Sequence, residues 1–476
     1  MPHYDVIVIG CGPAGERAAI QAARAGKQVA VIERQNVVGG TRVNWGTIPS
    51  KTLRESALFV HSLTRNKLEG IRCEISDQIT VDDFMYRERV VVGRELEIIN
   101  DSLERYSIEV FRANARFTDA HTVALRDSDA SAQSSMTADV IVIASGSSPN
   151  RPPDVPFDGE TVFDSNTILH LPRIPHTMLV LGAGVIGVEF ASIFAALGIQ
   201  ITLLDTRDLL LPFLDREIVA ILERELTMLG ITTIHAERYA SVEQISGGRP
   251  QVRCTTRSGR VFETDALLYC AGRDGNTKDL GLEAIGLEPN EYGLLQVNEN
   301  YQTSVPHIYA VGDVIGYPAL ASTSMEQGRQ AMRHAFNIPG LTSKTEVLPF
   351  AVYSIPEVSY IGETEEGLKR RGVEYVTGRG NYDMNPRGQI IGNTEGLLKL
   401  LFEADSLKLV GAHMIGHSAS ELIHIGQAFL RAGATAPQIA ETMYNYPTLS
   451  DLYRHAALKA MQAFHRRNPA GPPATG

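Results

Sequence analysis

Two stretches decide the fold: Val6-Ile7-Val8-Ile9-Gly10-Cys11-Gly12-Pro13-Ala14-Gly15 and Leu179-Val180-Leu181-Gly182-Ala183-Gly184-Val185-Ile186-Gly187. Each is an apolar run closed by the spacing GxGxxG. Around the first, the pattern predicts a strand at 4–9, a turn at 10–15, a helix at 16–25, then Gly26 and a strand at 28–33. Around the second it predicts a strand at 177–181, a turn at 182–187, a helix at 188–197, then Gly198 and a strand at 200–205. In such a βαβ unit the first glycine makes the tight turn, the second admits a pyrophosphate to the backbone, and the third packs helix on strand. The free N–H groups and dipole of the helix N-terminus then favour the anion. A glycine just past each helix ends it without strain. One such motif alone is weak evidence. Two copies, each following a strand, opening a helix and followed by an acidic residue (Glu33, Asp205), predict two dinucleotide sites in an α/β protein.

Those two acids carry the ribose expectation. Glu33 and Asp205 would accept hydrogen bonds from ribose hydroxyls. Asp205 would repel the 2′-phosphate of NADP, but Arg207 lies two residues on and could pair with it. The alternative for Arg207 is a solvated surface arginine, so the second site is read as taking NAD, with NADP open.

The bulk properties narrow the class. At 476 residues the chain calls for about three domains. The formal charge of −11 and a pI near 5.7 argue against an electrostatic nucleic-acid or anionic-membrane partner. Cys11, Cys73, Cys254 and Cys270 fall in no CxxC or CxxxxC spacing, the usage of a reducing compartment, and a cytoplasmic location is expected. Asp5 sits directly before the first apolar run, which reads as a strand and not a signal peptide. Residues 178–204 are long enough to imitate a membrane span, but Glu189, Gln200 and several glycines mark strand, helix, strand.

Between and after the two units, helices are expected at 51–64 and 91–106, and strands at 122–125 and 140–144 with a polar loop over 127–137. A Pro-rich crossing at 149–156 is answered by a return near 272–277. Beyond a linker at 337–345, strands of an antiparallel sheet are expected at 351–361, 392–401 and 408–414, with helices at 418–432 and 449–464. The end, 467–476, is Pro/Gly/Ala-rich and expected to be disordered.

After the first unit comes Gly39-Gly-Thr-Arg-Val-Asn-Trp-Gly-Thr-Ile-Pro-Ser-Lys51, which resembles the GGTCxNxGCxPSK segment of the pyridine nucleotide–disulfide oxidoreductases. Ala144-Ser-Gly-Ser-Ser-Pro149, Gly272-Arg273 with Asn276-Thr277, and Tyr309-Ala-Val-Gly-Asp313 continue the likeness, which extends to about residue 465. The resemblance implies two Rossmann-like dinucleotide-binding domains plus an α+β C-terminal dimerisation domain. FAD binding is implied for 1–150 with 276–345, NAD(P) binding for 151–275, dimerisation for 346–465, and a disordered tail for 466–476. It places FAD against Gly10, Gly12, Pro13, Ala14, Gly15, Glu33, Arg34, Gly40, Thr41, Lys51, Ala144, Ser145, Gly146, Asp313 and Ala321. It places NAD(P) against Gly182, Gly184, Val185, Ile186, Gly187, Glu189, Asp205, Arg207, Gly272 and Arg273. Lys51 would lie near flavin N5 and pair with Glu189, the two expected catalytic residues.

The departures from the family pattern are specific. Its two redox cysteines are replaced by Arg42 and Thr47. Without two thiols no disulfide can take electrons from the flavin and no thiolate can attack a substrate disulfide. The family's His-Pro-Thr is here Tyr446-Pro-Thr, with Asp451 where its glutamate stands. A phenol of pKa about 10 cannot act as a thiol's base at neutral pH, as an imidazole can. Arg42 is read as a cation near the flavin or as an arginine turned outwards, and Tyr446 and Asp451 as packing at a dimer interface.

Within the family, the soluble pyridine nucleotide transhydrogenases resemble this chain in Trp-Gly-Thr-Ile-Pro-Ser-Lys51, Asn445-Tyr-Pro-Thr448 and Glu421-Leu-Ile-His-Ile-Gly-Gln427. The resemblance implies ping-pong hydride transfer between NADPH/NADP and NAD/NADH, with FAD, NAD and NADP as cofactors and a homodimer or larger homo-oligomer as the assembly. The competing readings are an NAD(P)H diaphorase or quinone reductase, and a non-catalytic redox-sensing subunit. Cys11, Cys254 and Cys270 are read as core, and His413, His417 and His424 as unrelated to any metal.

Overall fold

The computed structural model describes residues 1–65, 80–126, 133–245, 251–339 and 347–467. Cys73, much of the expected 337–345 linker and nearly all of the expected disordered tail lie outside the described residues.

His3–Ile9 is buried along almost its whole length and pairs in parallel with Val29–Glu33 on one side and Gln133–Ile143 on the other. An unbroken apolar strand is what a parallel sheet covered on both faces requires. The sheet runs Glu109–Arg112, Val29–Glu33, His3–Ile9, Gln133–Ile143, Thr122–Arg126, Asn114–Phe117. Ile308–Ala310 returns from far along the chain to pair with Gln133–Ile143. Helix Pro13–Arg24 lies against helix Ala321–Ala335 so tightly that a side chain at Gly328 would meet the Ala14 carbonyl at 2.2 Å.

The second unit repeats the plan: Ile231–Ile234, Gln200–Leu204, Thr177–Leu181, Ala266–Tyr269 and Val162–Asp164 form a parallel sheet in that order. Helix Val185–Ala196 is apolar nearly all round and buried, which is why this region imitates a membrane span. Among the described residues no helix is long and apolar enough to cross a membrane. The two crossings between the units pair with each other, Ser147–Pro149 antiparallel to Arg273–Gly275.

The third unit is an antiparallel sheet of five strands, in the order Phe350–Val352, Val358–Gly362, Leu409–Ile415, Leu397–Glu403, Tyr375–Asn381. Helices Ala419–Arg431 and Leu452–Arg467 pack with it. An apolar cluster runs through all three units, from Leu53 and Ala57 through Val188 and Ala191 to Val352, Ile355 and Val358.

Several expected elements are corrected. The single strand at 351–361 is two strands, because Pro356 carries no N–H for a ladder. The strand expected from 392 begins at Leu397, behind the short helix Pro386–Ile390. The helix expected from 91 begins ten residues earlier, at Val81, where Thr80 and Asp83 form a capping box. The polar stretch 133–137 is the start of Gln133–Ile143 and not loop, its Ser/Thr residues pairing with Thr122–Arg126.

One buried charge ties the second unit to the third. Lys399, 2% exposed, holds Asp215 at 2.8 Å, Glu365 at 2.9 Å and Glu217 at 3.0 Å. Burial pushes the Glu365 carboxyl up, but Lys399, with Lys369 and Tyr375, outweighs it and holds the group at about 2 instead of 4.5. A carboxyl depressed in this way contributes stability that is present above pH 4.5 and is lost as the pH falls toward 2. The parent is therefore expected to lose stability across that window, and Glu365→Gln to show a shallower pH dependence there. Lys399→Met leaves buried Asp215 without its cation, while Glu217 keeps Arg379 and Glu365 keeps Lys369, and is expected to cost about 3–5 kcal/mol in denaturant unfolding. An unchanged midpoint would contradict this.

Candidate functional site

The first cradle is built by steric exclusion. Gly10 has φ +102°, and a side chain there would meet the Ala144 carbonyl at 2.4 Å; one at Gly15 would meet the Gly10 carbonyl at 1.9 Å. Gly40, with φ +55°, covers Gly12 so closely that a Cβ would lie 2.7 Å from its Cα. Pro13 opens the helix, whose N-cap Gly12 offers no side-chain acceptor to the free N–H groups. Glu33 accepts from the N–H of Cys11 at 2.8 Å and of Gln35 at 2.9 Å, which turns its carboxylate to the end of the strand.

This cradle opens into a cavity of about 1330 Å³, above the roughly 300–1,000 Å³ of an ordinary small-molecule site. Gly10, Gly12, Pro13, Ala14, Glu33, Arg34, Gly40, Thr41, Lys51, Ala144, Ser145, Gly146, Asp313 and Ala321 line it, with Val185, Ile186, Glu189 and Arg273 from the second group. Gly15 lies behind the wall. The hydroxyls of Ser145 and Thr323 are buried there without a hydrogen-bond partner. Asp313 accepts from Ser147 Oγ at 3.0 Å. Unsatisfied hydroxyls, a bare helix N-terminus and a carboxylate along one wall fit an elongated ligand carrying phosphates and many hydroxyls, as FAD does.

The second cradle repeats the first. Gly182 has φ +102°, a side chain at Gly187 would meet the Gly182 carbonyl at 1.9 Å, and the space beside Gly184 is open. Gly182, Gly184, Gly187, Asp205, Arg207 and Gly272 stand outside the cavity wall, while Val185 and Ile186 at the start of the same helix reach it. Asp205 receives four donors: the N–H of Ala183 at 2.6 Å, and the N–H, Nε and Nη2 of Arg207 at 2.8, 2.9 and 2.6 Å. Burial pushes the Asp205 carboxyl up, but the bonds from Arg207 and Ala183 hold it below the usual carboxylate range. Arg207 is exposed at the surface and lies folded on Asp205. Arg273 bonds Ser147 through Nε and Nη2, at 2.9 and 2.8 Å, and so fastens the paired crossings. Burial pushes its pKa down.

Where the two units meet, Lys51 Nζ lies 2.6 Å from Glu189 Oε2, although the residues are 138 apart in sequence. The other oxygen, Glu189 Oε1, accepts the N–H of Tyr353 at 2.8 Å. Arg42 is not turned outwards. Its Nη2 lies 3.2 Å from Glu16 Oε2 and its Nη1 3.9 Å from Glu95. Glu16 sits in the first turn of the helix that carries the cradle and is 2% exposed. An unneutralised carboxylate there would oppose a bound phosphate, and Arg42, with Arg17 at 3.5 Å, offsets it. Thr47 also lines the cavity.

Cys11 is fully buried, and burial pushes its thiol up to about 12, so it is an inert filler. Cys254 is buried and Cys270 partly so. Buried His413 bonds the Glu363 carbonyl at 2.7 Å, and His424 bonds Gln427 at 2.8 Å. Tyr446 is exposed, and Asp451 pairs with His455 at 3.3 Å. Phe350, Tyr353, Ser420, His424 and Gln427 line the cavity without having been singled out as site residues. Nothing in their spacing marks them, because the third unit reaches the site only through tertiary packing.

Two dinucleotide cradles whose helices both reach one cavity mark a dinucleotide-dependent oxidoreductase. Residues 4–328 match the pyridine nucleotide-disulphide oxidoreductase family and 348–457 its dimerisation domain, and the chain belongs to that family. It is 43% identical over 468 residues to a soluble pyridine nucleotide transhydrogenase of Mycobacterium tuberculosis, covering 98% of this chain and 99% of that one. The Chromohalobacter salexigens protein of the same name is 41% identical, with 96% and 97% covered. Among solved structures, LpdA of M. tuberculosis superimposes with a TM-score of 0.87 at 27% identity, covering 96% of this chain and 99% of that one. The HOCl-induced flavoprotein disulfide reductase RclA of Escherichia coli gives 0.85 at 27%, with the same coverage.

Arg42→Ala should leave Glu16 buried with only Arg17 near it. The expected cost is about 3 kcal/mol in unfolding free energy, together with weaker FAD retention on dialysis. Parent-like values for both would contradict the assigned role.

Proposed function

We propose that this chain is a FAD-dependent soluble pyridine nucleotide transhydrogenase that moves a hydride between NADPH/NADP and NAD/NADH. The observation that carries the reading is the cavity itself. Both cradle helices reach it, and the positions that hold thiols in the family's redox disulfide are occupied by Arg42, bonded to Glu16, and by Thr47. The names of the relatives at 41–43% identity support the same activity.

In this reading FAD is bound by 1–150 with 276–345, the nicotinamide dinucleotide by 151–275, and 346–465 joins two copies into a homodimer in the cytoplasm. When bound, FAD supplies the two-electron relay between the two nicotinamides. The chain supplies position and charge. The N-termini of Pro13–Arg24 and Val185–Ala196 hold the pyrophosphates, Glu33 and Asp205 the riboses, and Asp313 with the Ser145 and Thr323 hydroxyls the flavin's polar chain. Lys51 places a positive charge at the meeting point of the units, and Glu189 keeps that ammonium satisfied between turnovers.

The Asp205–Arg207 pair explains how one site takes both dinucleotides. With Arg207 folded on it, Asp205 carries little net charge toward a 2′-phosphate, and the guanidinium has edges left to bond that phosphate. With Arg207 swung away, Asp205 accepts the ribose hydroxyls of NAD. Arg207→Ala is therefore expected to raise the KM for NADPH about ten- to a hundredfold, while the KM for NADH holds or falls. Equal effects on both would contradict this use of the pair.

The test of the function is an assay of the purified flavin-loaded protein for NADPH-dependent reduction of thio-NAD, with a quinone, dihydrolipoamide and oxidised glutathione as rival substrates. Fast thio-NAD reduction with no disulfide or dithiol turnover is expected. Slow thio-NAD reduction beside rapid quinone reduction would replace the reading with a diaphorase.

A further inference from the structure

Residues 350–357 run from one short strand of the third sheet to the next and pass directly over the contact between Lys51 and Glu189. Tyr353 touches both partners. Its backbone N–H donates to Glu189 Oε1 at 2.8 Å, and its ring lies beneath Lys51 Nζ, 4.9 Å from ammonium to centroid. The ammonium is thus held between the carboxylate of one unit and the aromatic face of another, with its own backbone on a third.

The backbone just beyond Tyr353 is bonded from two helices. The Ser354 carbonyl accepts from Arg54 Nε at 3.1 Å, and the N–H of Ile355 donates to Ser192 Oγ at 3.1 Å. Arg54 Nη2 also reaches Glu357 at 3.1 Å. Arg54 is one turn beyond Lys51 on helix Thr47–Arg65, and Ser192 one turn beyond Glu189 on helix Val185–Ala196. The clamp therefore grips the same two helices that carry the ion pair. Burial, then the nearby Glu357, pushes the Tyr353 phenol up, so the ring is neutral and presents its negative π-face to the cation.

We propose that Tyr353 is a positioning residue for transhydrogenation: its ring and backbone N–H orient the Lys51 ammonium and the Glu189 carboxylate at the flavin end of the cavity. The inference rests on the role given to Lys51 above. Beside Glu189 the ammonium has only a long contact to Ser50 Oγ, at 3.4 Å, which leaves it free to swing; the ring restricts that freedom. The third unit, whose family role is dimerisation, thereby takes part in setting the field at the redox centre.

The test compares Tyr353→Leu, Tyr353→Phe and Lys51→Met as flavin-loaded proteins. Two quantities are read: the flavin midpoint potential by spectroelectrochemistry, and the rate at which an amine-acylating reagent labels Lys51, by peptide mass spectrometry. Tyr353→Leu should make the potential more negative and speed labelling of Lys51 by about three- to tenfold, the range of a partly buried cation–π contact. Tyr353→Phe keeps the ring and should keep both parent values. Should the leucine variant not fold, Tyr353→Met, which is larger, takes its place. Parent values in a folded leucine or methionine variant overturn the inference, and so does a phenylalanine variant that shifts as far as leucine. A Lys51→Met protein with the parent potential removes the role of Lys51 and the inference with it. A shifted Lys51→Met beside a silent Tyr353→Leu removes the inference alone.

Discussion

The 2.6 Å contact between Lys51 and Glu189 is the point on which the three units close. Glu189 is 5% exposed on an apolar helix, where an unpaired carboxylate would be strongly disfavoured. Its two oxygens are satisfied from outside its own unit, one by Lys51 and the other by the N–H of Tyr353. Separating the first or third unit from the second would remove one of these two partners. The apolar cluster shared by the units supplies most of the cohesion, and the ion pair fixes the register in which they meet. That register brings the start of helix Val185–Ala196 to the cavity lined by the first cradle.

The same logic of neutralising buried charge recurs wherever the units or their parts meet. Lys399 does it for three carboxylates between the second and third units, and Arg42 for Glu16 inside the first. The Arg42 case is instructive, because it occupies a position at which the family carries a reactive thiol. The side chain there supports a phosphate cradle instead, through its pair with Glu16, and no thiol stands at this position to carry thiol–disulfide chemistry.

How much could be read from the chain alone follows from how each feature is made. The cradles were legible in full, because Gly10, Gly15, Gly182 and Gly187 are demanded by short-range geometry that a side chain would violate. The folding of Arg207 onto Asp205 is also local, yet sequence left two options, since only the rotamer decides between them. Lys51 and Glu189 came together through resemblance to a family and not through spacing, which says nothing about partners 138 residues apart. Tyr353 and Ser420 were not singled out, and His424 and Gln427 were noted without a place in the site, for the same reason: only packing of the third unit brings them to the cavity. The strand misread at 351–361 had a visible local cause in Pro356, and the early helix start at Val81 had one in Thr80 and Asp83.

With Arg42 and Thr47 at the positions of the family's redox cysteines, no disulfide stands there to take electrons from the flavin. Anaerobic titration of the flavin-loaded protein with dithionite, followed by flavin absorbance, tests this most directly. Bleaching that is complete after one electron pair per flavin is the predicted result. Consumption of a second pair would reveal another electron acceptor in the chain and contradict the account.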